Sequence, residues 1–166
     1  SHHDLPVVTE QRALLSVTDF APFKQLSDMP AAMSAHVVFT DIDASSPAST
    51  SQIVTRDVIR GEIGFDGLLM SDDLSMKALS GTIRQRAEAV VRAGSDLVLH
   101  CNGIFDEMTA AAEGTPTLSG EAQRRFGAAL GVLKNCYPFD RPAAEANLAQ
   151  MITDDSLLRI SAPVLV

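Results

Sequence analysis

The chain has 166 residues, enough for one domain with a real core, and at 46% hydrophobic and 20% charged residues it has the composition of a globular protein. Its net charge of −8, the lack of any basic cluster interleaved with aromatics and the absence of Trp argue against a general nucleic-acid or anionic-membrane surface. No apolar run reaches membrane-spanning length, and the opening "SHHDLPVV" has neither the charged nor the apolar region of a signal peptide.

"TEQRALLSVTDFAPFKQL" reads as helix in pieces, broken by Pro22. "SAHVVFTDID", Ser34 to Asp43, is expected to be the first strand, centred on Val37, Val38 and Phe39. "SQIVTRDVIRGEIG" follows as a helix: Val54 and Val58 lie one turn apart, as do Ile59 and Ile63. Ser49, Thr50 or Ser51 would cap it, and Gly61 or Gly64 would stop it. "FDGLLMSDD", Phe65 to Asp73, is the second strand. "TIRQRAEAVVRAG" is the next helix, with Ile83, Ala87 and Val90 on one stripe and Gly94 at its end. "SDLVLHCN", Ser95 to Asn102, is the third strand, and "SGEAQRRFGAALGVLKN" a last helix with Phe126, Leu130 and Leu133 at helical spacing.

The strands start about thirty residues apart and are nearly continuous apolar runs, as parallel strands covered on both faces are. That period suits the (β/α)8 TIM barrel, in which about 250 residues make eight units. A doubly wound open sheet is the rival, weakened by the lack of a Gly-rich phosphate loop after any strand. About three units are present, so residues 1–166 are expected to be the C-terminal portion of one barrel domain, an expectation to which the abrupt polar start adds.

All three strands end in polar residues: Thr40 and Asp41, then Ser71, Asp72 and Asp73, then His100, Cys101 and Asn102. In both α/β architectures chemistry gathers at the carboxyl ends of strands, although loops are polar in any case. Side chains alternate along a strand, so Asp72 and Asp73 are expected to point to different sides rather than share a proton. Asp73 directly precedes the turn "LSMKAL" and is the better cap. Asp72 is left as the candidate nucleophile or ligand-binding carboxylate. His36 and Asn102 are candidate substrate-binding residues, and His100 could reach the same cleft, although a lone histidine in such a domain is more often structural. No histidine pair has metal-ligand helix spacing, so neither a metal nor a cofactor is expected. Cys101 and Cys136 lack metal-like spacing and read as reduced thiols of a cytoplasmic protein.

The chain resembles the C-terminal half of the catalytic barrel of glycoside hydrolase family three, in its bacterial β-N-acetylglucosaminidases of the NagZ type. "GEIGFDGLLMSDDLSM" resembles the family's nucleophile strand. "SHHDLPVV" resembles the segment after its mobile loop, "MSAHVVFTDIDASSPAS" the preceding strand, and "AGSDLVLHCN" the last strand. The resemblance implies that Asp72 is the nucleophile of a retaining exo-β-N-acetylglucosaminidase acting through a covalent glycosyl-enzyme. It implies that His2 is the acid/base. The aspartate that partners this histidine, and the Lys-His sugar-binding motif, would lie upstream of Ser1.

The implied substrates are muropeptides carrying N-acetylglucosamine on anhydro-N-acetylmuramic acid, in cytoplasmic cell-wall recycling. The chain alone is then expected to be inactive, and to pack against the N-terminal half of the barrel rather than against itself. Two alternatives stand beside this: a Mg²⁺-dependent phosphate-accepting signalling module, for which the third strand lacks the usual lysine, and a non-catalytic barrel fragment.

Overall fold

The computed structural model describes residues 4–134 and 139–153. Its elements run β1 (Val7–Val8), α1 (Arg12–Val17), α2 (Ala21–Lys24), β2 (Ala31–Ser34), β3 (Val38–Phe39), a 3₁₀ turn (Ala48–Thr50), a π-helical segment (Val54–Glu62), β4 (Leu68–Asp73), α3 (Ile83–Ala93), β5 (Leu97–Leu99), α4 (Phe105–Glu113), α5 (Gly120–Val132) and α6 (Arg141–Thr153). The chain divides into two compact units, Ser1–Lys134 and Asn135–Val166. Within the second, α6 is capped by Asp140, whose Oδ1 accepts the Ala143 N–H at 3.0 Å, and carries an Arg141–Glu145 ion pair.

Every ladder among the described strands is parallel. β4 lies between β2 and β5, and β1 pairs with β3 in a separate two-stranded sheet. The strand expected over Ser34–Asp43 is therefore two strands in two sheets. The chain bends at His36, after which Val38 N–H reaches Pro6 and Thr40 N–H reaches Val8. The apolar run that reads as one strand belongs to β3, while the strand that flanks β4 is the small-residue stretch Ala31–Ser34, which carries little hydrophobic signal.

The buried apolar residues form two cores. One gathers Leu15, Phe20, Ala48, Val54 and Val58, with Phe39 edge-on to Phe20; the other gathers Leu74, Leu79, Ala87, Val90 and Ala111. Each fully buried valine or leucine contributes roughly 1.5–3 kcal/mol. The segment Val54–Glu62 forms the expected helix but is wound as a π-helix, Ile63 N–H bonding five residues back to Val58. Ser51 caps its start by accepting the Val54 N–H at 3.1 Å.

α3 follows its sequence signals. Thr82 and Gln85 form a reciprocal capping box, and Gly94 ends the helix with φ of 102°, a conformation other residues adopt at a cost. Pro22 stands in the first turn of α2, where its missing N–H is harmless, so it starts that helix rather than merely interrupting one. No helix among the described residues is long and apolar enough to cross a membrane.

Candidate active site at the end of β4

β4 is anchored at its start by charge. The Asp96 carboxylate, 4% exposed, accepts from Leu69 N–H at 2.8 Å and pairs with Arg60 at 2.8 Å and Arg125 at 3.1 Å. Arg125 and Arg124 continue the network to Asp66. These residues sit at the amino ends of β4 and β5, opposite the polar strand ends.

At the carboxyl end the ladder is irregular. Met70 faces Leu97 and Asp73 faces Leu99, three steps on β4 against two on β5. Such a bulge re-aims the side chains it carries. The buried Ser71 hydroxyl accepts the Leu99 N–H at 3.2 Å, standing in for a backbone acceptor there. Strict alternation does not hold across this step, so the separation of Asp72 from Asp73 rests on their contacts.

Those contacts are distinct. Asp72 is half-buried; its Oδ1 accepts the N–H of Asp73 at 2.8 Å, and its other oxygen has no hydrogen-bond partner among the described residues. Asp73 spends its whole carboxylate on structure. Oδ1 accepts from Ser75 N–H and from Cys101 N–H, each at 3.0 Å, and Oδ2 accepts from the Ser75 hydroxyl. Burial works against ionisation of Asp73, but the Ser75 hydroxyl and the Ser75 and Cys101 N–H groups outweigh it and hold the carboxyl below its ordinary range. The turn that Asp73 caps is not a helix: Leu74 to Leu79 run as successive turns, tied down by Arg86 through the carbonyls of Leu74, Met76 and Gly81.

His36 is 0% exposed. Its Nδ1 lies 2.6 Å from the Ser49 hydroxyl and its Nε2 3.0 Å from the Asp73 carbonyl oxygen. With both nitrogens engaged and the ring fully buried, the structure places His36 against β4 and shows no open face for the expected substrate contact. Asn102 is exposed, but its amide is engaged locally: Nδ2 donates to Glu107 at 2.6 Å and Oδ1 accepts from Ile104 N–H at 2.9 Å. His100 also meets Glu107, at 2.9 Å through Nε2, while its buried Nδ1 has no partner among the described residues. Hydrogen bonds from His100 and Asn102 hold the Glu107 carboxyl below its usual range. Cys101 is a free, exposed thiol pushed up by desolvation and by the charges of Asp73 and Asp72. His2 lies outside the described residues, as does Cys136. Among the described residues no group of three His, Cys, Asp or Glu side chains is placed to hold a metal ion.

The sequence reading offers Ser49 only as a helix cap and Ser71 only as a polar strand end, and it does not name Glu107, whose signal is that with Asp106 it opens α4 with negative charge, as helix starts favour.

The site is thus a rigid parallel-strand end that presents one half-free carboxylate beside a second, fully engaged one. The sequence matches the family described as "Glycosyl hydrolase family 3 N terminal domain" over residues 1–128, and the chain belongs to that family. It is 42% identical over 106 residues to a protein named beta-hexosaminidase from Bordetella avium, a stretch that is 61% of this chain and 30% of that one. A beta-hexosaminidase from Chromobacterium violaceum is 44% identical over 106 residues, 61% of this chain and 29% of its own. The aligned part spans about 30% of the length of these curated relatives.

Among solved structures, NagZ from Neisseria gonorrhoeae in complex with N-trifluoroacetyl-D-glucosamine superposes with a TM-score of 0.72 at 31% identity. The match covers 92% of this chain and 47% of that one. A family 3 β-N-acetylglucosaminidase from Paenibacillus sp. superposes with a TM-score of 0.69 at 28% identity, over 85% and 30% of the two chains. Family membership sets aside the phosphate-accepting alternative.

Proposed function

We propose that this chain supplies the nucleophile side of a retaining exo-β-N-acetylglucosaminidase, with Asp72 as nucleophile. The observation that carries the reading is the Asp72 carboxylate itself: one oxygen is oriented by the Asp73 N–H and the other is unbonded among the described residues, at a strand end in a family of glycosidases. An ionised carboxylate so held can attack an electron-poor anomeric carbon. The Asp72 oxygen bonds to that carbon as the glycosidic C–O bond breaks, and the departing oxygen takes a proton from the acid/base, for which His2 is the candidate. Water then attacks the glycosyl-enzyme, giving its proton back to the same base and releasing Asp72.

The substrate we infer is a terminal N-acetylglucosamine of peptidoglycan fragments, hydrolysed in cytoplasmic cell-wall recycling. The names of the curated relatives and the N-acylglucosamine bound to the Neisseria NagZ support the sugar. The free Cys101 thiol fits a reducing compartment.

The chain then works as the C-terminal part of a (β/α)8 catalytic barrel domain, completed by an N-terminal half. A groove of about 370 Å³ beside β2, lined by Phe20, Phe23, Leu26, Met29, Met33 and Phe65, offers the apolar seat such a half would cover. The test is hydrolysis of a chromogenic N-acetylglucosaminide by the protein completed with its N-terminal half. Asp72→Ala is expected to lower turnover by roughly three orders of magnitude or more. Turnover that survives Asp72→Ala, or a folded complete protein without activity, would overturn the reading, the latter in favour of a non-catalytic fragment.

A further inference from the structure

We propose that the buried pair Ser49 and His36 is a positioning device for the Asp72 carboxylate; the proposal rests on the reading of Asp72 as the reacting group. A carbonyl oxygen can only accept, so the His36–Asp73 contact requires the proton on Nε2. In the neutral ring Nδ1 is then a lone pair, and the Ser49 hydroxyl 2.6 Å away is its donor. Ser49 therefore selects the tautomer that lets His36 hold the Asp73 carbonyl.

The donor is itself fixed. Ala48 N–H bonds to Val37 at 2.8 Å and Ser49 N–H to Ala35 at 3.1 Å, so the 3₁₀ turn is stitched to the chain on both sides of His36. Ser49 and His36 are both 0% exposed. The next link is Asp73. Its carbonyl is held by His36, its carboxylate holds Cys101 and Ser75, and its N–H is the group bonded to Asp72 Oδ1.

Holding the carbonyl and the carboxylate of Asp73 restrains the backbone at this residue, and through it the direction of the N–H that the Asp72 carboxylate accepts. β4 is bulged at this step, so the regular ladder does not do this. A buried imidazole on the bend after β2 and a buried hydroxyl on the 3₁₀ turn thus set the orientation of a carboxylate on β4 that neither of them touches.

The experiment uses the complete protein. Long-range ¹⁵N–¹H correlation of labelled histidines should show His36 as the Nε2–H tautomer at neutral pH, and Ser49→Ala should mix or invert the tautomers. In kinetics on an N-acetylglucosaminide, His36→Phe should lower kcat about 10- to 100-fold with KM within about twofold, as a misplaced reacting group does. His36→Gln, whose amide N–H can reach the same carbonyl, should recover most of the loss. Ser49→Ala should fall between wild type and His36→Phe.

An Nδ1–H or doubly protonated His36 in the wild type, or unchanged kcat in both His36→Phe and Ser49→Ala, overturns the proposal. If His36→Phe does not fold, Ser49→Ala and His36→Gln carry the same comparison. Asp72→Ala in the same assay separates the two readings. An inactive Asp72→Ala with unaffected Ser49 and His36 variants removes only this proposal, whereas a fully active one removes the parent reading as well.

Discussion

The backbone N–H of Cys101 donates to Oδ1 of Asp73 across 3.0 Å. This joins the chain leaving β5 to the end of β4, past the point where the regular ladder stops. The second aspartate of the pair is therefore a structural fastener, and the first keeps one oxygen without a partner among the described residues. Two adjacent carboxylates of the same chemistry differ because, among those residues, one satisfies three donors and the other its neighbour's N–H.

Removing the fastener should cost stability more than chemistry. Asp73→Ala leaves Cys101 and Ser75 without their acceptor, and urea unfolding should show a loss of about 1–3 kcal/mol. The Asp73 N–H survives the substitution, so turnover of the completed enzyme should fall far less than with Asp72→Ala. Turnover lost in Asp73→Ala and kept in Asp72→Ala would show that the two roles are reversed.

Acid should lower the stability of the fold. Asp73 is held below its ordinary value of 3.8 by the balance described above. Asp43 is held down by the hydroxyls of Ser45 and Ser51, and Asp66 by Arg125 and Arg124. The unfolded chain binds protons at these groups before the folded one does, so stability rises with pH in that window. Their contribution is present above about pH 4 and is lost as pH falls through the folded values. A series of melting temperatures should be nearly flat from about pH 7 to 5 and fall below about pH 4, less steeply in Asp73→Asn. A melting temperature that holds or rises on acidification would contradict the assignment.

The opposite end of the strands should respond differently. Asp96 is buried against Arg60, Arg125 and the Leu69 N–H, and Asp96→Ala removes the carboxylate that both guanidinium groups share, leaving Arg60 only the Phe65 and Gly67 carbonyls and Arg125 only carboxylates at the surface. Breaking a buried pair in this way costs about 3–5 kcal/mol. The site lies at the amino ends of β4 and β5, so kcat per folded molecule should stay at the wild-type value. An unchanged melting temperature would mean that the network is solvated rather than structural.

Much of this was legible in the sequence. The apolar centres of β4 and β5, the stripe and terminal glycine of α3, and the polar ends of β4 and β5 follow from periodicity and capping chemistry, and the structure places them as expected, whereas Thr40 and Asp41 follow β3 in a separate sheet. β2 was not legible, because Ala-Ala-Met-Ser is too weakly apolar to stand out beside Val37 to Phe39. α4 was missed because its middle is a run of alanines with little contrast between faces. His36 could be noticed but not understood: its role depends on Ser49, thirteen positions on, and on a carbonyl thirty-seven positions on, and sequence shows neither contact. The bulge that undermines simple alternation at Asp72 and Asp73 has no residue signature at all, since Ser71 is an ordinary strand residue until its hydroxyl is seen to take the Leu99 N–H.

The most direct measurement is covalent capture. The completed protein is incubated with a fluorinated N-acetylglucosaminide carrying a good leaving group, digested, and sequenced by mass spectrometry. A sugar attached to the side chain of Asp72 is the expected result; a sugar on Asp73 or any other residue would contradict the account.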